Sequence, residues 1–313
     1  MSIEFVGSPY AQCGWIPLCQ LDVCTEPPGR SWQEYEYQLL RLPIANQFKI
    51  DQLRRWLADS DAGEEQYVKR RERSFEEFRA LIDERRFRVV DTQSGEIIEA
   101  TEMVSYVAVS YVWGKKERAT NAFVLAHDDG KRMVDFQNTP ATLRDAIHLV
   151  SQLNLQYIWI DQLCVTQDDP DDKVANIRKM GVIYSMATFT LVAATGFDAE
   201  AGLTRLHNRQ RPHEMELTAK HQGKSISFLP ERETIDQIVQ GTTWAKRGWT
   251  FQEQFLSTRR IIFTDEEVFY QDGIREEREA YKLVKTRPDS PEREKITMPK
   301  AWTFQSYFCS NAR

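Results

Sequence analysis

A chain of 313 residues that is 41% hydrophobic is long enough for two domains or one large one, with apolar side chains for a sizeable core. A net charge of −6 gives no reason to expect general nucleic-acid affinity, no apolar stretch approaches a membrane span, and the opening MSIEF lacks the basic and apolar regions of a secretory signal. Five cysteines, spaced for neither a zinc site nor a paired framework, point to a reducing, cytoplasmic setting.

Residues 1–30 read as irregular, with Pro9, Pro17, Pro27 and Pro28 among Cys13, Cys19 and Cys24; they fit either an ordered wrap or a loose arm. Helical spacing follows. Ile50, Leu53, Trp56 and Leu57 share one face, with Asp51 near the start, and Phe75, Phe78, Leu81 and Ile82 share another. Between them lies KRRER at 69–73. Interleaved acidic residues make it a solvated helix face, with a phosphate-binding patch as the alternative. Residues 87–91 then read as a short strand and 92–95 as a turn.

The central section alternates strand and helix. Residues 106–113 (YVAVSYVW) form a nearly continuous apolar run, as in a strand buried on both faces, and Gly114 ends it. FVLA, HDDG and MVDF, over 123–136, predict a hairpin. Thr139 reads as the N-cap of a helix with Pro140 at its first position and a stripe of Leu143, Ala146, Ile147, Val150 and Leu153. Residues 157–165 (YIWIDQLCV) read as a second strand, apolar first, then carrying Asp161, Gln162 and Cys164, with Gln167 close behind. Residues 168–172 supply a turn and cap for a helix with Val174, Ile177, Gly181 and Tyr184 on one face, and 188–195 give a third strand.

Strand–helix–strand–helix–strand predicts a parallel sheet with right-handed crossovers. The three strand C-termini then share one edge, where ligands bind in open α/β sheets. That edge would carry Tyr111, Trp113 and Gly114, then Asp161, Gln162 and Cys164, then Thr195 and Gly196. The same pattern also fits strands whose polar residues merely cap the turns that follow.

Beyond Gly196 the pattern changes. Residues 204–213 (TRLHNRQRPH) read as a basic surface loop, with an anion clamp as the alternative. Residues 225–229 alternate like a strand, 244–257 are dense in aromatic and polar groups, and 260–263 with 267–270 predict a hairpin. Residues 274–300 are strongly charged, hold three prolines and read as a weakly structured tail. The aromatic ending, AWTFQSYFCSNAR, reads as part of something longer.

Five segments in order, SYVWG (110–114), TLRDAI (142–147), YIWIDQLCVTQ (157–167), MGVIYSMA (180–187) and RGWTFQEQFLS (247–257), resemble the heterokaryon incompatibility (HET) domain of fungal proteins. RFRVVD (86–91) resembles the usual approach to it. The resemblance implies a HET domain over 105–272, split into a TIR-like β-α-β-α-β core (105–196) and a C-terminal subdomain (197–272). Residues 1–104 would be a partly helical N-terminal region and 273–313 a charged tail. The fold class implied is α/β: a TIR- or flavodoxin-like parallel sheet flanked by helices, with a C-terminal α+β extension. The function implied is an effector of programmed cell death in fungal non-self recognition. Some TIR domains cleave NAD at its glycosidic bond with a helix-borne glutamate. Others only assemble, so a non-catalytic module acting by self-association or on a recognition partner protein is the alternative.

Glycosidic cleavage needs a carboxylate to stabilise an oxocarbenium-like centre, and groups that hold the dinucleotide. Glu253 and Asp161 are the candidate carboxylates. Tyr111, Trp113, Gly114, Gln162, Cys164, Gln167, Arg247 and Trp249 are the candidate ligand-binding residues. NAD or a related nucleotide would be substrate; no cofactor and no metal site is expected. Blander readings stand beside these. Thr250-x-x-Glu253 is a capping-box pattern, and Glu253 has Arg247 as an ion-pair partner. Asp161 fits a turn cap or a partner for a tryptophan N–H. Cys164, with no histidine in a recognisable relation to it, reads as a packed thiol. His127 reads as a turn residue and His148 as a helix-surface residue. One departure stands out: where HET domains often carry Glu or Gln a turn ahead of the MGVIY methionine, this chain has Asn176.

Overall fold

The computed structural model describes residues 4–6, 21–24, 36–41, 48–60, 64–114, 122–203, 206, 217–221, 224–230, 233–248, 250–272, 275–279 and 281–286. They belong to two compact units, one drawn from 1–44, 212–233 and 280–313, the other from 45–211 and 234–279. Three strands come first: β1 (Glu4–Val6), β2 (Leu21–Cys24) and β3 (Glu36–Arg41). The two expected helices follow as α1 (Ile50–Ser60) and α2 (Glu64–Asp83). Next are β4 (Arg88–Asp91), β5 (Ile97–Glu99), β6 (Tyr106–Tyr111) and the predicted hairpin of β7 (Val124–Ala126) and β8 (Arg132–Val134). Then come α3 (Ala141–Gln152), β9 (Tyr157–Trp159), α4 (Asp161–Cys164), α5 (Pro170–Met186) and β10 (Phe189–Ala194). The remainder is β11 (Leu217–His221), β12 (Lys224–Pro230), α6 (Ile235–Gly241), a 3-10 turn (Trp244–Lys246), α7 (Thr250–Leu256), β13 (Arg259–Thr264), β14 (Val268–Asp272), β15 (Glu276–Arg278) and β16 (Tyr281–Thr286).

The smaller unit pairs β1-β11-β12-β2 as an antiparallel sheet, and β16 with β3. Stretches 1–30 and 274–300, expected to be irregular, therefore carry the strands β1, β2, β15 and β16.

The larger unit is α/β and is built on one sheet of order β15-β14-β13-β10-β6-β9-β4-β5. Its four central strands, β13, β10, β6 and β9, are parallel; the strands outside them run antiparallel. Numbered along the chain, the parallel strands lie in the order second, first, third, fourth, as in flavodoxin-like sheets. The direction of winding reverses between β6 and β10, so a crevice is expected over their C-terminal ends. The sheet draws β4 and β5 from ahead of residue 105 and β15 from beyond 272.

Both faces of the sheet are covered. Ser110, Val192, Ile262 and Phe269 stand in register across four strands, and the last three pack with Ile238, Val239 and Trp244. Trp159, in register with Ala108 on that face, meets Tyr184 of α5 edge-on at 5.8 Å. The opposite face carries Val109, Leu191, Ile261 and Tyr270, with Trp56 of α1 against Tyr270. All six residues of β6 and all six of β10 are buried, which accounts for their unbroken apolar runs. Each fully buried Val, Leu or Ile there contributes roughly 1.5–3 kcal/mol.

Three local expectations are corrected. The second strand stops at Trp159, because the Asp161 carboxylate accepts from the Gln162 N–H and the chain turns into α4. Thr139 is not the cap of α3: its hydroxyl donates to the Asp135 carbonyl at 2.6 Å, Pro140 holds the cap position, and the helix begins at Ala141. Val174 and Ile177 of α5 face solvent. That helix turns Asp172 and Asn176 inward, since Asp172 ion-pairs with Arg88 at 2.9 Å and the Asn176 amide donates to the carbonyls of Arg86 and Asp172. The cap of α5 is Asp169, within the predicted turn. No helix among the described residues is long and apolar enough to cross a membrane.

Candidate functional site

The last two residues of β6 organise the site. Successive side chains of a strand point to opposite faces. Ser110 points toward α7, and the Tyr111 hydroxyl reaches the start of α4.

On the Ser110 side, the Trp244 Nε1–H donates to Ser110 Oγ at 2.7 Å, and the Ser110 hydroxyl donates to the Glu253 carboxylate. Glu253 is only 4% exposed. Burial pushes its carboxyl up; the Ser110 bond and the Arg247 charge pull it down, and Asp161 pushes it further up. The capping-box reading fails here. The Thr250 hydroxyl donates to the Arg247 carbonyl, and the Glu253 carboxylate goes inward to Ser110. Helix α7 is tied to β10 through Ser257, whose hydroxyl lies 2.7 Å from Thr190 Oγ1.

On the Tyr111 side, the phenol lies 2.9 Å from Asp161 Oδ1 and 2.8 Å from Gln162 Oε1. The Trp113 Nε1–H donates to Asp161 Oδ2 at 2.8 Å, and the Gln162 N–H donates to Oδ1 at 2.7 Å. Asp161 thus both starts a helical turn and holds a tryptophan N–H. Burial pushes its carboxyl up, while the bonds from Tyr111, Gln162 and Trp113 and the charge of Arg247 pull it down. Burial and the facing Asp161 hold the Tyr111 phenol well above its ordinary range, so it stays a proton donor. Arg247 crosses to the end of β6, where its Nη1–H donates to the Tyr111 carbonyl. One guanidinium therefore favours the ionised form of both carboxylates. Trp113 is 39% exposed and marks the open side of the cluster.

A family model described as "Heterokaryon incompatibility protein (HET)" matches residues 106–253, from the first residue of β6 to Glu253. The matched stretch is similar to a HET domain. "Heterokaryon incompatibility protein 6, OR allele" of Neurospora crassa is 28% identical over 217 residues, which is 65% of this chain and 27% of that protein. The chain thus spans about a quarter of the length of the curated relative it matches. No solved structure matches it.

Within the matched region, the predicted site residues divide. Tyr111, Trp113, Asp161, Gln162, Arg247 and Glu253 come together. Gly114 adjoins them at φ +94°, and a Cβ there would lie 2.8 Å from Asp198 Cβ. Gln167 secures the end of α4, its amide donating to the Asp161 carbonyl at 3.1 Å. Cys164 does not join: it is fully buried, its Sγ faces the Ile160 N–H at 3.4 Å, and burial pushes the thiol up to about 12. Thr195 and Gly196 close a loop through the Gly202 carbonyl and the Asp265 carboxylate. Asn176 is bound to backbone on the inward face of α5. Trp249, the side chains of 69–73, and the loop at 204–213 apart from Leu206 lie outside the described residues.

Sequence reasoning missed Ser110 and Trp244 as site residues. The available signal was a single serine inside a strand of otherwise apolar and aromatic residues. A separate groove of about 560 Å³ runs along α3, lined by Thr92, Phe136, Arg144, Asp145, His148 and Ser151; none of these belongs to the strand-end cluster. Among the described residues, no group of His, Cys, Asp or Glu is arranged to hold a metal ion.

Proposed function

We propose that this protein acts in fungal heterokaryon incompatibility as a cell-death effector, and that its strand-end cluster hydrolyses NAD or a related nucleotide at the glycosidic bond. The observation that carries the chemical part is the pair Asp161 and Glu253, both raised by burial, sharing Arg247 at the winding reversal of a parallel sheet. The resemblance to TIR domains supplies the reaction class.

In that reaction the bond from ribose C1′ to the pyridinium nitrogen breaks, and its electron pair leaves with nicotinamide. A water oxygen bonds to C1′, and its proton passes to solvent or a carboxylate. Asp161, beside the exposed Trp113, stabilises positive charge developing at C1′ in this reading. Glu253, behind Ser110, holds the second negative charge of the cluster. Arg247 favours the ionised form of both and offers its charge to a diphosphate. Nicotinamide release by purified protein, followed by chromatography, tests this. Asp161→Asn should lower release by on the order of a hundredfold, with the fold intact by circular dichroism. Release that persists unchanged in folded Asp161→Asn and Glu253→Gln sinks the chemistry.

One observation favours a second reading, a module that signals without chemistry through self-association or a partner protein. Both Asp161 oxygens already accept hydrogen bonds, and Glu253 is almost wholly buried. Under that reading Asp161→Asn, which keeps the shape of the cluster, leaves toxicity in a fungal host intact.

A further inference from the structure

The loop after β10 is strongly braced. Gly196 takes φ +60°, and its N–H donates to Asp265 at 3.2 Å. The Thr195 hydroxyl donates to the Gly202 carbonyl at 2.6 Å, and the Gly202 N–H to Thr142 Oγ1 at 3.0 Å. The Leu203 N–H donates to Asp145 at 2.8 Å, and the Thr142 N–H returns a bond to the Ala199 carbonyl at 2.9 Å. Asp198 accepts from the Glu200 N–H at 2.9 Å, forming a tight local turn. Ala199 and Leu203 are buried. In the middle of this frame Phe197 is 84% exposed, the most exposed of the large hydrophobic side chains among the described residues.

An aromatic ring held in water on a fixed backbone adds nothing to the core. Its position is informative. Asp198 packs against Gly114 so closely that a Cβ on the glycine would lie 2.8 Å from the Asp198 Cβ. Phe197 and Trp113 are the residues immediately before those two. The ends of β6 and β10, where the winding reverses, therefore each carry a solvent-facing aromatic, and Trp113 is itself fixed through its indole N–H to Asp161. Aromatic faces on a rigid frame at a sheet crevice suit stacking of a planar heterocycle, because every such ring has a π-face to offer.

We propose that Phe197 is a ligand-binding residue that, with Trp113, clamps the planar base of a nucleotide over the end of β6, placing its ribose beside Asp161. This rests on the nucleotide reading of the strand-end site and names the part of the ligand recognised there. It assigns specificity for the aromatic ring, not for the sugar or phosphate.

The test is binding, independent of turnover. Isothermal titration with nicotinamide mononucleotide, AMP and ribose 5-phosphate would be run on the full chain as wild type, Phe197→Ala, Phe197→Trp and Phe75→Ala. Phe75 is an exposed phenylalanine of α2 and serves as control. Stacking predicts that Phe197→Ala binds the two nucleotides from about fivefold to about a hundredfold more weakly. Phe197→Trp and Phe75→Ala should match wild type, and ribose 5-phosphate should not respond to Phe197→Ala. Circular dichroism confirms that the variants are folded. Equal nucleotide affinity in folded Phe197→Ala and wild type overturns the proposal, as does wild type binding neither nucleotide. Ring binding that depends on Phe197 without nicotinamide release supports the clamp while refuting hydrolysis, so the two ideas fail separately.

Discussion

Replacing Ser110 by alanine removes one oxygen and strips two buried groups of their partner. The Trp244 N–H loses its acceptor at 2.7 Å, and the Glu253 carboxylate loses its hydroxyl donor. An unsatisfied buried neutral group costs about 1–3 kcal/mol, and a charged one costs more. Ser110→Ala should therefore destabilise the larger unit by about 3–5 kcal/mol at pH 8, a large share of the stability of an ordinary domain. The pH dependence is the sharper part. Burial already raises the Glu253 carboxyl, and losing the donor raises it further. A carboxyl raised in the folded state binds its proton more tightly there than in the unfolded chain. Stability then falls as pH climbs from the unfolded value, about 4.3, through the folded one, and the loss is complete above it. The deficit of the variant should accordingly grow between pH 4.5 and pH 8. Urea unfolding followed by circular dichroism at both pH values, with unchanged slope, measures it. In a Glu253→Gln background the growth with pH should vanish, because no charge remains to be stranded. A deficit below about 1 kcal/mol at pH 8, or one equal at both pH values with Glu253 present, would refute this account.

Two further outcomes follow from buried groups. Asp172→Ala should cost about 3 kcal/mol in urea unfolding, because it leaves Arg88 with only Glu99 at 3.9 Å and the Cys164 carbonyl and strands the Thr166 N–H, whereas Arg88→Met with Asp172→Leu should recover part of that loss. Cys164, fully buried with a thiol near 12, should resist iodoacetamide at pH 8 in the folded protein and react only in denaturant, as read by peptide mass spectrometry.

The parallel core was legible because β6 and β10 are buried on both faces and so write unbroken apolar runs. The hairpin of β13 and β14 was legible because its two apolar runs flank a short polar turn. Strand order was not legible, since nothing within β13 states that its neighbour is β10. The face of α5 was misjudged because its inward side is polar. Asp172 goes inward to meet Arg88, a partner 84 positions away in the chain. Tyr111, Trp113 and Asp161 could be grouped in advance, as polar and aromatic residues at strand ends. Cys164 was misplaced because a run read as strand turns helical at Asp161, which folds the thiol back beneath Ile160. Glu253 matched a capping pattern because three-residue spacing at a helix start is common. Only the packing of α7 against the sheet reveals that Ser110 takes its carboxylate.

The matched region opens at β6, yet the outer edge of β9 is closed by β4, with Val90 opposite Ile158 and Asp91 opposite Tyr157. A fragment cut at residue 106 would present that edge as a row of unpaired N–H and C=O groups, flanked by apolar side chains. Bare edges recruit strands from other molecules. Such a fragment would clump or dimerise through a surface that the longer chain keeps covered. Oligomers seen with it would report the cut, not a signalling assembly. A piece on which self-association can be judged therefore keeps β4 beside β9, and keeps β1, β2 and β3 as well, since removing them would bare β11, β12 and β16.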